Sequence, residues 1–202
     1  MSTAKAIWDH PFTFWALLSL PAIPMILMLT SGDPKAVSNA LHPSGEFAAR
    51  FLIITMMITP LMLLFRNASW PRWLMKRRRH LGVAAFFYAL AHTVLYLIDE
   101  GAVALTLSEA SKLYIWTGWI AFLIFVPLAI TSTDGWVRSL GRKWKPLQQF
   151  VYGTAVLTLV HWAALHEWGG VGPALVHFTP LVVLELYRFW SIQHRRRVRA
   201  TA

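Results

Sequence analysis

Histidine carries the metal chemistry that this sequence can offer. It has eight histidines and no cysteine, which rules out disulfides, iron–sulfur clusters and thiolate-bound or covalently attached haem. Imidazole is left as the strong nitrogen ligand. Three of the eight fall inside long apolar runs, His92 and His161 well along theirs and His177 early in its own. An ionisable or metal-binding side chain at membrane depth is costly, so each is a functional candidate whose partner has to be found. Counted from Leu81 and Leu147, where those runs begin, His92 lies about 16 Å and His161 about 21 Å along helices running in the same direction. The two rings then reach a similar level, nearer the outer surface. Two imidazoles at one level on neighbouring helices can supply both axial ligands to a b-type haem, an arrangement suited to electron transfer because iron keeps no open position. The same residues also fit an interhelical hydrogen bond or a proton relay, and residue type alone does not separate these readings.

Helical spacing puts Ala85, Tyr88, Ala89, Tyr96 and Asp99 on or near the face of His92. The alanines would let a flat macrocycle approach, and Tyr96 and Asp99 would hydrogen-bond near its outer rim. Beside His161 stand Thr154, Leu157, Thr158, Ala164 and Leu165; a threonine hydroxyl is expected to accept the ring N–H and set the tautomer. His80 precedes His92 by about 120° around a straight helix, so it would ligate a second, inner haem only across a kink. His166 is read as a solvated or propionate-binding residue near the outer surface. His177 is read as an interhelical hydrogen bonder or accessory ligand, and His10, His42 and His194 as solvated.

These side chains have to be carried by membrane helices. Of 202 residues, 56% are hydrophobic, far too many for an ordinary soluble domain of this length. Six apolar runs, each close to the length that crosses about 30 Å of hydrocarbon, fall at 11–30, 47–65, 81–98, 113–130, 147–165 and 173–190. The expectation is an all-α integral membrane protein, a six-helix bundle forming one domain over 1–202, with a kink at Pro21 and Pro24. The first run is too long for a secretory signal and lacks its cleavage site. The stretch from Ser31 to Glu46 reads as a polar loop, and no internal repeat is apparent.

The net charge of +10 is concentrated in short blocks. Arg66, Arg72, Lys76, Arg77, Arg78 and Arg79 lie between runs two and three, Arg138, Arg142, Lys143 and Lys145 between four and five, and Arg195, Arg196, Arg197 and Arg199 after six. The opposite loops hold Lys35 and Lys112 against Asp33, Glu46, Asp99, Glu100, Glu109 and Glu167. Short cytoplasmic segments collect Lys and Arg, so both termini are expected in the cytoplasm, with the basic blocks on anionic lipid rather than nucleic acid. Trp8, Trp70, Trp73, Trp136, Trp144, Trp168 and Trp190 sit near run ends, as interfacial anchors do. Arg77, Arg78, Arg79, Arg142 and Lys143, with Trp144, are available for a phosphate or propionate group of a flavin, quinone or haem site near the inner ends. Glu185 with Arg188, and Glu46 with Arg50, are spaced to form structural pairs. No nucleotide-binding glycine fingerprint is present, so electrons would come from a separate protein or a membrane quinol.

The stretches RRRHLGVAAFFYALAHTVLYLID, GWIAFLIFVPLAITST and GRKWKPLQQFVYGTAVLTLVH resemble the haem-binding membrane subunit of the bacterial protein-methionine-sulfoxide reductase system, the MsrQ or YedZ family of the ferric-reductase-like transmembrane group. The similarity runs from about Arg66 to about His166. It implies a haem b protein of the bacterial inner membrane, to which FMN is also attributed. Its electrons would come from the quinone pool or a cytosolic flavin reductase. They would pass to a periplasmic molybdenum-containing catalytic subunit that repairs oxidised methionines. The family's histidines fall on His92 and His161. Where its motif reads Trp, two residues, Leu, His, this chain has Trp144, Lys145, Pro146, Leu147 and Gln148. Glutamine is a poor haem ligand, so one haem per chain is the expectation, and the substrate chemistry would occur on the partner. The rival reading is a non-redox membrane transporter or assembly factor with a histidine proton or metal path.

Overall fold

A computed structural model describes residues 10–101 and 110–200, and all regular structure among them is helical; Trp8 and Glu109 lie outside the described residues. The first apolar run forms α1 (Pro11–Ser19) and α2 (Ala22–Leu29), which meet at an angle of 50°. The bend falls at Pro21, which has no N–H to continue the ladder of α1.

The next two helices are α3 (Ala36–Leu64) and α4 (Trp70–Glu100), and both start well before their apolar runs. The expected loop from Ser31 to Glu46 is helical from Ala36 onward, with Pro43 inside the helix. Helix α4 opens with Pro71 in its first turn, where the missing N–H costs no hydrogen bond, so the basic block is helical rather than a loop. These two helices form the most extensive packing in the molecule, with Leu52, Ile58 and Ala85 fully enclosed. The Tyr88 hydroxyl donates to the Leu18 carbonyl at 3.0 Å and ties α4 to α1.

Helix α5 (Leu113–Ile130) leads through α6 (Asp134–Leu140) and α7 (Trp144–Gln148) to α8 (Val151–Ala163). The fifth run is therefore broken at Gln149 and Phe150. A turn over Leu165–Trp168 has left-handed backbone at His166, Glu167 and Trp168 (φ 51°, 54° and 73°) and delivers the chain into α9 (Val171–Ala200). Gly170 is required there, because a β-carbon on it would collide with the Trp162 carbonyl.

Helices α3, α4 and α5 are each long and apolar enough to cross a membrane, and the bent pair α1–α2 makes a fourth such stretch; α8 is shorter but apolar. Large apolar side chains such as Phe12, Phe87, Leu123, Val176 and Leu186 point outward, as they do where lipid replaces water. Two packed pairs organise the centre, α3 with α4 and α5 with α8, and α9 closes against α3 and α8.

Candidate functional site: a cavity between two held imidazoles

His92 on α4 and His161 on α8 face each other across the bundle, their ring centroids 6.1 Å apart and their planes at 84°. Each ring is held from behind by the partner helix of its own pair. Nδ1 of His92 donates to the carbonyl of Leu41 on α3 at 3.0 Å, and Nδ1 of His161 donates to that of Tyr114 on α5 at 2.5 Å. A carbonyl can only accept, so both rings carry their proton on Nδ1 and keep the Nε2 lone pair for a ligand. Four residues beyond each carbonyl stands a glycine, Gly45 or Gly118, flat against the ring.

The rings border a cavity of about 420 Å³ whose walls include Ala49, Leu52, Ala89, Ala121, Phe122 and Phe125. Its polar lining includes His42, Glu46, Tyr96, Glu100, Thr158 and His166. Of the residues the sequence placed around a macrocycle, Ala89, Tyr96, Thr158 and Leu165 line this space. Ala85 and Tyr88 do not: Ala85 is enclosed in the α3–α4 core, and Tyr88 turns to Leu18. Thr154 is buried and bonded to the Phe150 carbonyl at 3.4 Å, while the Thr158 hydroxyl donates to Thr154. The expected threonine acceptor for His161 is thus replaced by a backbone oxygen.

Other candidates lie away from the two rings. His80 packs edge-on to Phe14 and Trp15 at 6.0 and 5.2 Å. His166 is exposed on the cavity rim. His177 donates from Nδ1 to the Pro173 carbonyl at 2.8 Å, stacks on Trp162 at 4.7 Å and faces Arg50 and Glu46. Gln148 donates to the Leu128 carbonyl and the Thr131 hydroxyl, both at 3.1 Å.

Three of the expected phosphate-binding cations are turned to other work. Arg77 is buried, 4.1 Å above the Trp73 ring. Arg78 donates to the Thr55 carbonyl at 3.1 Å, and Arg79 pairs with Asp134 at 2.5 Å. Trp144 donates to the Thr131 carbonyl at 2.8 Å, and Arg142 and Lys143 are exposed. The three guanidinium groups are thus aimed at three different elements, α4, α3 and α6. The Glu46–Arg50 and Glu185–Arg188 pairs form as spaced, at 2.5 and 2.7 Å. Among the described residues no three histidine or acidic side chains converge as a metal site.

The residues that sequence reasoning passed over are those behind the rings. Leu41 and Tyr114 act through backbone oxygens, which no side-chain pattern displays. The hydroxyl–glycine dipeptides Ser44–Gly45 and Thr117–Gly118 were the legible signal, each preceded by its carbonyl residue at the same spacing.

A multi-pass helical membrane protein with an apolar cavity between two facing histidines is the class that this fold and site define. Residues 44–160 match the family model described as the ferric reductase like transmembrane component. A Xanthomonas oryzae protein, named as the protein-methionine-sulfoxide reductase heme-binding subunit MsrQ, is 38% identical over 171 residues, covering 83% of this chain and 75% of its own length. A protein of the same name from Herminiimonas arsenicoxydans is 37% identical over 196 residues, covering 93% and 87%. No solved structure matches the chain. The chain belongs to the ferric-reductase-like transmembrane family and, within it, to the MsrQ group.

Proposed function

We propose that this chain is the haem-binding electron-transfer subunit of a methionine sulfoxide reductase system, with His92 and His161 as the two axial ligands of one haem b. The observation that carries the reading is the pair of facing rings, each with Nδ1 spent on a backbone carbonyl and Nε2 left over. The fit is supported by size. Two metal–imidazole bonds of about 2 Å plus the reach of each ring bring axial imidazole centroids about 6 Å apart, and the observed spacing is 6.1 Å. The apolar walls and the paired glycines favour a flat, largely hydrophobic group.

When bound, a haem with two imidazole ligands supplies one-electron transfer without an open iron position. The chain's own residues do the rest. The Leu41 and Tyr114 carbonyls fix tautomer and ring orientation, which keeps reorganisation small when charge changes. The walls around Ala89, Ala121 and Phe125 would give the group an apolar surround. Tyr96, Glu100 and His166 make the rim polar at the ends of α4 and α8.

We read the chain as six crossings of the bacterial inner membrane, α8 and α9 included, with both ends on the cytoplasmic side where the basic blocks lie. Electrons would enter from the quinone pool or a cytosolic flavin reductase and leave outward to a periplasmic molybdenum-containing catalytic subunit.

The test is the reduced-minus-oxidised visible spectrum of detergent-purified protein, with pigment quantified per chain. One b-type haem per chain is expected, lost in His92→Ala and in His161→Ala and kept in His166→Ala. Absence of b-type bands from the wild-type protein overturns the redox reading, and pigment retained in both axial variants moves the ligands elsewhere.

A further inference from the structure

The two histidines are held by the same local device used twice, with one difference. In each case a helix offers a carbonyl, then a hydroxyl residue three positions on, then the glycine: Leu41, Ser44 and Gly45 for His92, and Tyr114, Thr117 and Gly118 for His161. Ser44 and Thr117 are both fully buried, so neither hydroxyl bonds to bulk water. The Ser44 hydroxyl donates to the Leu41 carbonyl at 2.6 Å and stands 3.3 Å from His92 Nδ1. Thr117 instead donates chiefly to the Leu113 carbonyl at 2.7 Å and reaches the Tyr114 carbonyl only at 3.2 Å.

A carbonyl oxygen has two lone pairs, and in a helix the i to i+4 ladder already draws on one of them. A second strong donor weakens what remains for the imidazole. The distances follow that logic: with the hydroxyl at 2.6 Å the ring bond is 3.0 Å, and with the hydroxyl at 3.2 Å it is 2.5 Å.

We propose that Ser44 is a positioning residue that weakens the Leu41–His92 hydrogen bond and so makes His92 the less electron-donating of the two imidazoles, whereas Thr117 leaves His161 almost fully polarised. The inference rests on both histidines being axial ligands. Strong N–H donation pushes an imidazole toward imidazolate and makes it a better donor to iron. A better donor favours the oxidised metal and lowers the potential. Removing the Ser44 hydroxyl frees the Leu41 oxygen for His92 and shifts the couple toward the oxidised state; removing the Thr117 hydroxyl changes little.

The experiment is a potentiometric titration of the purified haem-loaded protein, followed in the visible spectrum, for wild type, Ser44→Ala, Ser44→Thr and Thr117→Ala. At the potential where wild-type pigment is half reduced, Ser44→Ala is expected to lower the reduced-to-oxidised ratio about threefold or more. Ser44→Thr, which keeps a hydroxyl, is expected to return most of the way, and Thr117→Ala to move the ratio less than Ser44→Ala. An unchanged or raised ratio in Ser44→Ala, a larger effect from Thr117→Ala, or outright pigment loss in Ser44→Ala overturns the proposal. Two control variants keep the failures apart. If His92→Ala and His161→Ala keep their pigment, the axial-ligand reading has failed. If both lose it while Ser44→Ala leaves the ratio unmoved, only the hydroxyl proposal has failed.

Discussion

A β-carbon on Gly45 would stand 2.9 Å from both Cε1 and Nδ1 of His92, and one on Gly118 would stand 2.8 Å from Nδ1 of His161. Real β-carbons do not sit that close to another atom, so the absence of a side chain is what lets each ring reach the carbonyl one turn earlier. Two opposing effects then decide what alanine does at these positions. Helix propensity alone favours alanine over glycine by about 1 kcal/mol. Overpacking against a ring pinned between helices costs about 1–3 kcal/mol, and the carbonyl bond goes with it. Sterics therefore win. Gly45→Ala and Gly118→Ala are each expected to lose most of the pigment while far-ultraviolet circular dichroism stays helical. Full pigment in both variants would show that the rings are not held by these close approaches.

Side-chain chemistry at membrane depth was enough to single out His92 and His161, because an imidazole in an apolar run stands out against its neighbours. The wheel around His92 gave a stripe but not the side facing the partner helix. Ala89 and Tyr96 reached the cavity while Ala85 and Tyr88 went to the α3–α4 core. Polarity misled at Ser31–Glu46, where a helix formed in a stretch that reads as loop because tertiary packing overrode composition. That error concealed Leu41, Ser44 and Gly45 together. Charge misled differently. Arg77, Arg78 and Arg79 were legible as a basic block, and Arg77 covers the indole of Trp73 four residues earlier on its own helix, but the targets of the other two, the Thr55 carbonyl and Asp134, are set only when the helices meet.

His177 separates structural histidines from the paired ones. Its ring stacks on Trp162 and faces Glu46 and Arg50, joining α9 to α8 and α3. His177→Ala is expected to lower stability by about 1–2 kcal/mol through the lost ring contact and hydrogen bonds. Pigment per folded chain should not change. Thermal unfolding in detergent, with absorbance read on the same sample, checks both halves, and pigment loss in a fully helical variant would bring His177 into the site.

The Arg79–Asp134 pair links the start of α6 to α4 and sets a pH dependence of definite sign. The hydrogen bond from Arg79, and then its charge, hold the Asp134 carboxyl below the ordinary carboxylate range. A lowered folded-state value means that the stabilisation is complete above the unfolded carboxylate pKa of about 4 and is lost as pH falls through the lowered value. The pair is exposed, so the effect is small and salt-sensitive. Wild type should melt slightly above Asp134→Asn near neutral pH at low ionic strength, and the gap should close below about pH 4. A gap that persists into strong acid would place the contribution of Asp134 elsewhere.

Gln148 tests whether this chain has room for a second haem. It occupies the place where the related motif carries histidine, yet its amide donates to the Leu128 carbonyl and the Thr131 hydroxyl at the end of α5. The inner histidine that would have to face it, His80, is packed against Phe14 and Trp15 on the side of α1. A histidine at 148 would therefore meet backbone oxygen rather than a second imidazole across a slot. Gln148→His is expected to leave the stoichiometry at about one haem per chain, as two well-placed imidazoles are needed for each haem of this kind. It should also loosen the end of α5 by about 1 kcal/mol, since one hydrogen bond of the amide pair has no counterpart in imidazole. Pigment titrated against chain concentration decides the point. A second equivalent with its own reduction midpoint would mean that α1 and α4 rearrange to release His80, and the packing of His80 on Phe14 and Trp15 would then be a resting arrangement rather than a fixed one.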